Sequence, residues 1–263
     1  MYPNQRNLQT EDDLDLIDTH CHLDQEIFST RLPTVLEDAR RAGVTRFVVP
    51  GVHPDNWGRM AVVARSHEGV FPAYGIHPMH ADTVNDGVLS ALAELSSGGV
   101  GIGEIGLDPA YPIPLEVQEY AFREQLRLAL SLGLPVLVHC RRAFQRTLQI
   151  LKEEKVARGI MHAFSGSVEM AREFIRLGFA ISLSGVVTWP NALHPARLAR
   201  ELPVESLVLE TDAPDMTPHP FRGQPNQPAY LAEVLGSVAR IRGMRPQEMA
   251  RHIARNAVTI LSL

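Results

Sequence analysis

The chain has 263 residues, of which 45% are hydrophobic and 21% charged, so it can bury the core of one large α/β domain. Its formal net charge of −5 excludes a protein that holds nucleic acid by bulk electrostatics, because such proteins carry basic surfaces. With only two cysteines, Cys21 and Cys140, a disulfide framework is excluded. The polar, acidic residues 1–13 are expected to form a tail, not a signal peptide, and we expect a cytoplasmic monomer.

Short apolar, β-branched runs alternate with longer amphipathic stretches along the chain. We predict strands at residues 14–22, 46–52, 70–78, 100–108, 135–141, 158–166, 179–185 and 206–214. Helical segments between them imply parallel pairing through right-handed crossovers. Eight such units on about 260 residues predict closure into a (β/α)8 TIM barrel, one domain over residues 1–263. An open doubly wound sheet is the alternative, but no Gly-x-Gly-x-x-Gly follows the first strand.

Acidic and imidazole side chains recur towards the carboxyl ends of the predicted strands. They are His20, His22, His77, Glu104, His139, His162, Glu210 and Asp212. Because these strand ends meet at one mouth of a barrel, we expect the groups to converge. A lone histidine is more often a core or surface residue than a ligand, but this many buried polar groups without partners would be costly as packing. The sequence therefore predicts a metal site at the mouth.

Cys21 lies between His20 and His22, so the metal could in principle take a thiolate. Successive side chains of a strand point to opposite faces, which puts the two histidines on one face and Cys21 on the other. The same alternation separates Cys140 from His139. We therefore expect both cysteines to pack as small hydrophobic residues and the site to be open and catalytic.

Four imidazoles with two or three carboxylates exceed the needs of one tetrahedral zinc ion. They suit two divalent ions about 3.5–4 Å apart, which activate water for hydrolysis. Many binuclear barrel hydrolases bridge their ions with a carbamylated lysine, but the only lysines, Lys152 and Lys155, lie in a predicted helix far from any strand end. Glu104 is the best remaining bridge; a salt bridge at the bottom of the barrel is its alternative role.

Five segments, in order, resemble the TatD family of metal-dependent deoxyribonucleases, and most closely its YjjV-like branch. They are residues 20–22, 103–108, 139–141, 162–167 and 210–214. The resemblance implies a barrel of the metal-dependent hydrolase type holding two divalent ions, Zn, Mg or Mn. The implied ligands are His20, His22 and Asp212 for one ion, His139 and His162 for the other, and Glu104 as the bridge. Asp212 would also act as the base, and the implied activity is 3′-to-5′ exonuclease cleavage of single-stranded DNA.

Residues 223–228 depart from the family pattern, since Gly-Gln-Pro-Asn-Gln-Pro replaces a basic stretch and removes phosphate contacts. Arg141 and Arg222 are candidates for binding a phosphate, and His77 for contacting the substrate. Trp189 is a candidate for stacking on a base or for packing under its own loop. A binuclear amidohydrolase or esterase acting on a small carbonyl substrate, and a metal-binding protein without activity, stay open as alternatives.

Overall fold

The computed structural model describes residues 14–263, and the polar tail predicted for residues 1–13 lies outside the described residues. Eight parallel strands form one sheet in which each strand pairs with the next along the chain. They are β1 (Leu16–Asp18), β2 (Val44–Pro50), β3 (Val70–Tyr74), β4 (Gly101–Leu107), β5 (Val136–Cys140), β6 (Gly159–Met161), β7 (Phe179–Leu183) and β8 (Leu207–Leu209). The predicted TIM barrel is confirmed.

Helices follow the strands and form the outer layer. They are α1 (Glu26–Ser29), α2 (Leu32–Arg41), α3 (Trp57–Ser66), α4 (Asp86–Ser96), α5 (Leu115–Leu132), α6 (Phe144–Glu153), α7 (Val168–Arg176), α8 (Leu193–Glu201), α9 (Leu231–Arg242) and α10 (Pro246–Leu261). A 3-10 helix, Gly185–Thr188, follows β7. Within residues 14–263, no helix is both long and apolar enough to cross a membrane.

Apolar side chains form two layers, one on each face of the sheet. The inner layer takes one residue from each of seven strands, closed by α10: Ile17, Val48, Ala73, Leu137, Ile160, Ala180, Val208, Ala257 and Leu261. The neighbouring strand positions, such as Leu16, Phe47 and Val138, pack against the helices. This alternation follows from the two-residue period of a strand. The inner layer and α10 together fill the interior of the barrel on the side of that helix with apolar residues.

Bonds between the carboxyl ends of β1 and β8 close the barrel. The amide of Thr19 donates to the Leu209 carbonyl over 3.2 Å. The carboxylate of Asp18 accepts the amide of Thr211 over 2.9 Å and also accepts its hydroxyl. Burial raises the pKa of Asp18 to about 7, against these hydrogen bonds. The first and last strands are thus joined at the mouth.

Several strands are shorter than the sequence predicts. β1 ends at Asp18, so His20 and His22 lie in the following loop, and β8 ends at Leu209. Beyond these points the backbone bonds to other segments; for example, the amide of Cys21 donates to the Val48 carbonyl over 3.0 Å. Cys21 and Cys140 are nevertheless buried with the apolar core, where the alternation of a strand would place them.

Candidate metal centre

Glu104 lies at the centre of the barrel mouth, where only 3% of its surface is exposed. Its Oε2 lies 3.2 Å from Nε2 of His20 and 3.8 Å from Nε2 of His22. Its Oε1 lies 2.8 Å from Nδ1 of His139 and 3.5 Å from Nε2 of His162. The two oxygens of one carboxylate therefore face two different pairs of imidazoles. These contacts exclude a salt bridge at the bottom of the barrel as the role of Glu104.

Asp212 joins the first of these pairs. Its Oδ1 lies 3.5 Å from Nε2 of His22 and 3.7 Å from Nε2 of His20. The backbone of Asp212 has a φ of 58°, in the left-handed region, and its amide donates to the His20 carbonyl over 2.9 Å. The loops after β1 and β8 thus position one another.

Close packing of the backbones of neighbouring strands brings Glu104 and His139 together. The amide of Glu104 donates to the Gly51 carbonyl over 2.8 Å, which ties β4 to the end of β2. Gly106 has a φ of 147°, and a Cβ there would lie 1.9 Å from the carbonyl oxygen of His139. Only glycine fits this position, because any larger residue would push β5 and its histidine away.

A further carboxylate lies behind His139 and another behind His162, two of the three histidines that face Oε1 of Glu104. Oδ2 of Asp108 is 3.2 Å from Nε2 of His139. Oε1 of Glu210 is 3.0 Å from Nδ1 of His162, without the alignment of a hydrogen bond, and it accepts the amide of Ala163 over 2.7 Å. Histidines that bind metals commonly have such a carboxylate at their other ring nitrogen.

The charges of these groups are strongly coupled. Burial opposes the charge of Glu104, but the surrounding imidazoles, first His162, hold its pKa well below its usual range. Burial, together with the charge of His162, lowers the pKa of His20. An anionic carboxylate beside a neutral imidazole is the combination that binds a divalent cation.

The donor atoms present fit such a cation. Nε2 of His20 is buried and, among the described residues, has no hydrogen-bond partner even though Glu104 is close to it. A buried polar atom without a partner is costly, and a bound cation would satisfy it. Three sets of donor atoms lie within 4.8 Å of one another: His20, His22 and Glu104; His77, Glu104 and His139; and His20, His162 and Glu210. Nitrogen and oxygen donors of this kind suit zinc, manganese or magnesium.

A cavity of about 350 Å³, which we call the main cavity, opens over these groups. All of the predicted ligands except His20 line it: His22, Glu104, His139, His162 and Asp212. His20 lies beneath them and is fully buried. Neither Lys152 nor Lys155 is among the described residues that line it, and Lys152 pairs with Glu173 of α7 at 3.7 Å.

Two of the three residues predicted to contact the substrate line the main cavity. Nε2 of His77 lies 3.5 Å from Oε1 of Glu104, and Arg141 is exposed at the cavity wall. Arg222 instead lies over the ring of Trp189, 4.7 Å from its centroid, and is not among the lining residues. Trp189 donates its indole N–H to the Thr217 carbonyl over 3.1 Å, which ties the ring to its neighbouring loop.

The sequence alone did not predict the positions of two acidic residues, Asp108 and Glu210. Asp108 was not singled out, although it lies four residues after Glu104 and the strand period places both on one face. The alternation of a strand would place Glu210 and Asp212 on a common face, but Glu210 is fully buried behind His162 while Asp212 borders the cavity. The alternation fails there because β8 ends at Leu209 and the chain turns at Asp212.

Comparisons with known proteins agree with this geometry. The family model described as TatD related DNase matches residues 17–262. YabD of Bacillus subtilis, described as an uncharacterized metal-dependent hydrolase, is 38% identical over 247 residues, covering 92% of this chain and 97% of YabD. YjjV of Escherichia coli K12, described in the same words, is 36% identical over 253 residues, covering 94% of this chain and 98% of YjjV.

Solved structures give the same result. The crystal structure of Escherichia coli YjjV, a TatD homologue, superimposes with a TM-score of 0.90 at 35% identity, covering 95% of this chain and 99% of YjjV. A TatD family hydrolase from Entamoeba histolytica shares the fold, with a TM-score of 0.84 at 18% identity. The match covers 94% of this chain and 98% of the Entamoeba protein. The chain therefore belongs to the TatD-related DNase family and is a metal-dependent hydrolase of the TatD type.

Proposed function

We propose that the chain is a two-metal phosphodiesterase that removes nucleotides from the 3′ ends of single-stranded DNA. The observation that carries this proposal is Glu104, whose two oxygens face separate imidazole pairs. A carboxylate in this position can bridge two cations, which is the arrangement used for in-line displacement at phosphorus. Membership of a family named for DNase activity supports DNA as the substrate.

The ligand assignment follows the two sides of Glu104. His20, His22 and Asp212 would hold one ion, His139 and His162 the other, and Glu104 would bridge them. Bound at this site, two divalent ions would stabilise charge on the phosphoryl oxygens and lower the pKa of a water towards about 7. Zinc suits the imidazoles, while magnesium or manganese suits the carboxylates.

Asp212 is suited to accept a proton from the attacking water. Burial opposes its charge, but His162 and His22 hold the pKa of its carboxyl below its usual range, so the group is a carboxylate at neutral pH. It borders the main cavity and is fixed by the bond from its amide to His20. A general base needs this combination of ionisation and fixed position.

His77 and Arg141 are suited to bind the phosphate. Nδ1 of His77 accepts the amide of Met79 over 3.1 Å, so in the neutral ring the proton is on Nε2, at the main cavity. Burial lowers the pKa of His77 to about 3, which keeps the ring neutral and able to donate. Arg141 offers a planar pair of donors that matches two phosphate oxygens.

An amidohydrolase or esterase acting on a small carbonyl substrate is the second candidate. The observation that favours it is the scarcity of cations at the mouth, since Arg141 is the one lysine or arginine among the described residues that line the main cavity. The loop at residues 223–228 adds no positive charge. A carbonyl substrate would not need phosphate contacts.

The test is digestion of a 5′-labelled single-stranded oligodeoxynucleotide with added Mg²⁺, Mn²⁺ or Zn²⁺. We expect stepwise shortening from the 3′ end. Asp212→Asn should lower the rate by about 10²–10⁴-fold, the contribution of a general base, with unchanged thermal unfolding. Asp55→Asn, which changes an acid whose side chain is 87% exposed, is the matched control and should retain the activity.

Two results would contradict the proposal. Digestion by Asp212→Asn at the wild-type rate would remove Asp212 from the role of base. A wild-type protein that leaves DNA intact but cleaves amides or esters would establish the second candidate.

A further inference from the structure

A second pocket, which we call the side pocket, adjoins the main cavity and has a volume of about 350 Å³. It lies between the loop after β6, the 3-10 helix after β7, the start of α8 and the segment after β8. Ala163, Ser165 and Met216 line both spaces. Ala163 follows His162 directly, and Met216 lies four residues after Asp212. A molecule whose reacting group is at the metal centre can therefore extend into the side pocket.

The side pocket differs from the main cavity in its chemistry. Leu183, Val186, Val187 and Pro195 give it aliphatic walls, and none of its described lining residues is an aspartate, glutamate, lysine or arginine. The main cavity contains the carboxylates, the imidazoles and Arg141. A ligand spanning both spaces would place its charged part in the main cavity and an uncharged part in the side pocket.

The pocket is held in shape by its neighbours. The amide of Ala163 is bound by Glu210 over 2.7 Å, and the Ser184 hydroxyl lies 3.2 Å from the sulfur of Met216. A Cβ on Gly185 would lie 2.1 Å from the Met216 carbonyl oxygen, so the 3-10 helix and the segment after β8 are in direct backbone contact. Such a preformed space costs little ordering entropy when a ligand enters.

We infer that the side pocket binds the nucleobase of a nucleotide at the 3′ end, next to the phosphodiester to be cleaved; this inference rests on the proposed function. A base is the uncharged, flat part of a nucleotide, and its faces suit valine, leucine and methionine walls. Its polar edge can bond to Ser165 or to His194, which also line the pocket. The volume is at the lower end of ligand pockets, which fits one base. Base contacts also offset the scarcity of phosphate contacts.

The experiment compares two single-stranded oligodeoxynucleotides of equal length. One carries bases throughout, and the other carries tetrahydrofuran abasic residues at its last two 3′ positions while keeping every phosphate. We expect kcat/KM for the first 3′ cleavage to be about tenfold higher on the substrate with bases, within the range found for one base stacked on an aromatic ring such as Phe164, which also lines the pocket. This comparison uses the wild-type enzyme and does not depend on the folding of any variant.

Val186→Trp fills the side pocket, and Leu193→Trp is its control. Leu193 is 82% exposed beside the pocket, at the start of α8, and does not line it. In Val186→Trp, kcat/KM should fall about tenfold on the substrate with bases and should not change on the abasic substrate. Leu193→Trp should match the wild type on both. Metal content and thermal unfolding are measured for each variant.

The outcomes separate the two proposals. Equal wild-type rates on both oligonucleotides would overturn the side pocket as a base site and leave the phosphodiesterase in place. Equal losses on both substrates in Val186→Trp would also overturn it, because the substitution would then act on the metal centre. A wild-type enzyme that cleaves neither oligonucleotide would overturn both proposals.

Discussion

Asp108 and Glu210 are carboxylates that lie behind two of the proposed metal ligands, His139 and His162. Each places a carboxylate within 3.2 Å of the ring nitrogen that its histidine turns away from Glu104. A negative charge there makes the imidazole a stronger donor to a cation and limits rotation of the ring. Glu210 has a second role, since it also fixes the backbone of Ala163 between the two pockets.

Glu210→Gln tests this role at the scale of one residue. The substitution keeps the shape and removes the charge, and we expect the affinity for a divalent ion to fall about 10–100-fold. Isothermal titration of the metal-free protein with Mn²⁺ or Zn²⁺ measures the change directly. Glu205→Gln, an exposed acid at the other end of β8, is the control. Unchanged metal affinity in Glu210→Gln would show that the charge of Glu210 beside His162 does not contribute to metal binding.

At the scale of elements, α5 and α6 are joined by a network of ion pairs centred on Glu154. Arg127 donates to both of its oxygens over 2.9 and 3.0 Å, and Arg123 donates over 2.6 Å. The hydrogen bond from Arg127 lowers the pKa of Glu154; burial opposes this shift, and Arg123 adds to it. Networks of this kind contribute more than isolated surface pairs.

The sign of the pH dependence follows from this shift. Because the pKa of Glu154 is lower in the folded chain than in the unfolded chain, the network stabilises the fold at neutral pH. That contribution decreases once the pH falls below about 4.3, the usual pKa of the carboxyl in the unfolded chain, and is lost only below the lowered pKa of the folded chain. Glu154→Gln should therefore unfold at lower urea concentration than wild type at pH 7, and the difference should be smaller at about pH 3. An equal difference at both pH values would exclude a charge effect.

At the scale of the whole molecule, closure of the barrel depends on a few side-chain bonds. The carboxylate of Asp18 is fully buried and bound by the amide and hydroxyl of Thr211. These bonds join the first strand to the last and hold the loops that carry His20 and Asp212.

Thr211→Val tests this closure. It removes the hydroxyl and leaves one oxygen of Asp18 buried without that partner, which should lower the free energy of unfolding by about 1–3 kcal/mol. Thr259→Val on α10 is the control, because its hydroxyl is exposed and bonds only within its own helix. Urea unfolding of both variants gives the comparison. A Thr211→Val protein as stable as the control would show that the bridge contributes nothing.

The fold was predictable because its signal repeats eight times. Strand and helix periods alternate along the chain, and eight such units in a chain of this length are typical of a closed parallel barrel. Strand ends were less predictable. The sequence around His20, His22 and Asp212 keeps the pattern of a strand. In the structure, hydrogen bonds to other segments, such as that from the His22 amide to the Ala213 carbonyl, replace the bonds between neighbouring strands.

The convergence of the metal-capable residues was predictable for the same reason, since strand ends share one mouth. Pairwise contacts were not. Two examples are the contact of Glu210 with His162 and that of Arg222 with Trp189. Both depend on turns, which have no periodic pattern in the sequence. For the loop at residues 223–228, the sequence indicates missing cations but not how the loop packs. Its Asn226 is fully buried and donates to the carbonyls of Thr211 and Asp215, so the loop anchors the chain on both sides of Asp212.

The bridge between Asp18 and Thr211 spans 193 positions of the chain. His20 and His22 lie near the start of the barrel and Asp212 near its completion, so a chain still being synthesised has its first histidine pair long before the acid that faces it. On the proposed ligand assignment, the first cation site would be complete only when the segment after β8 has docked. Tight binding of that ion would then report a closed barrel.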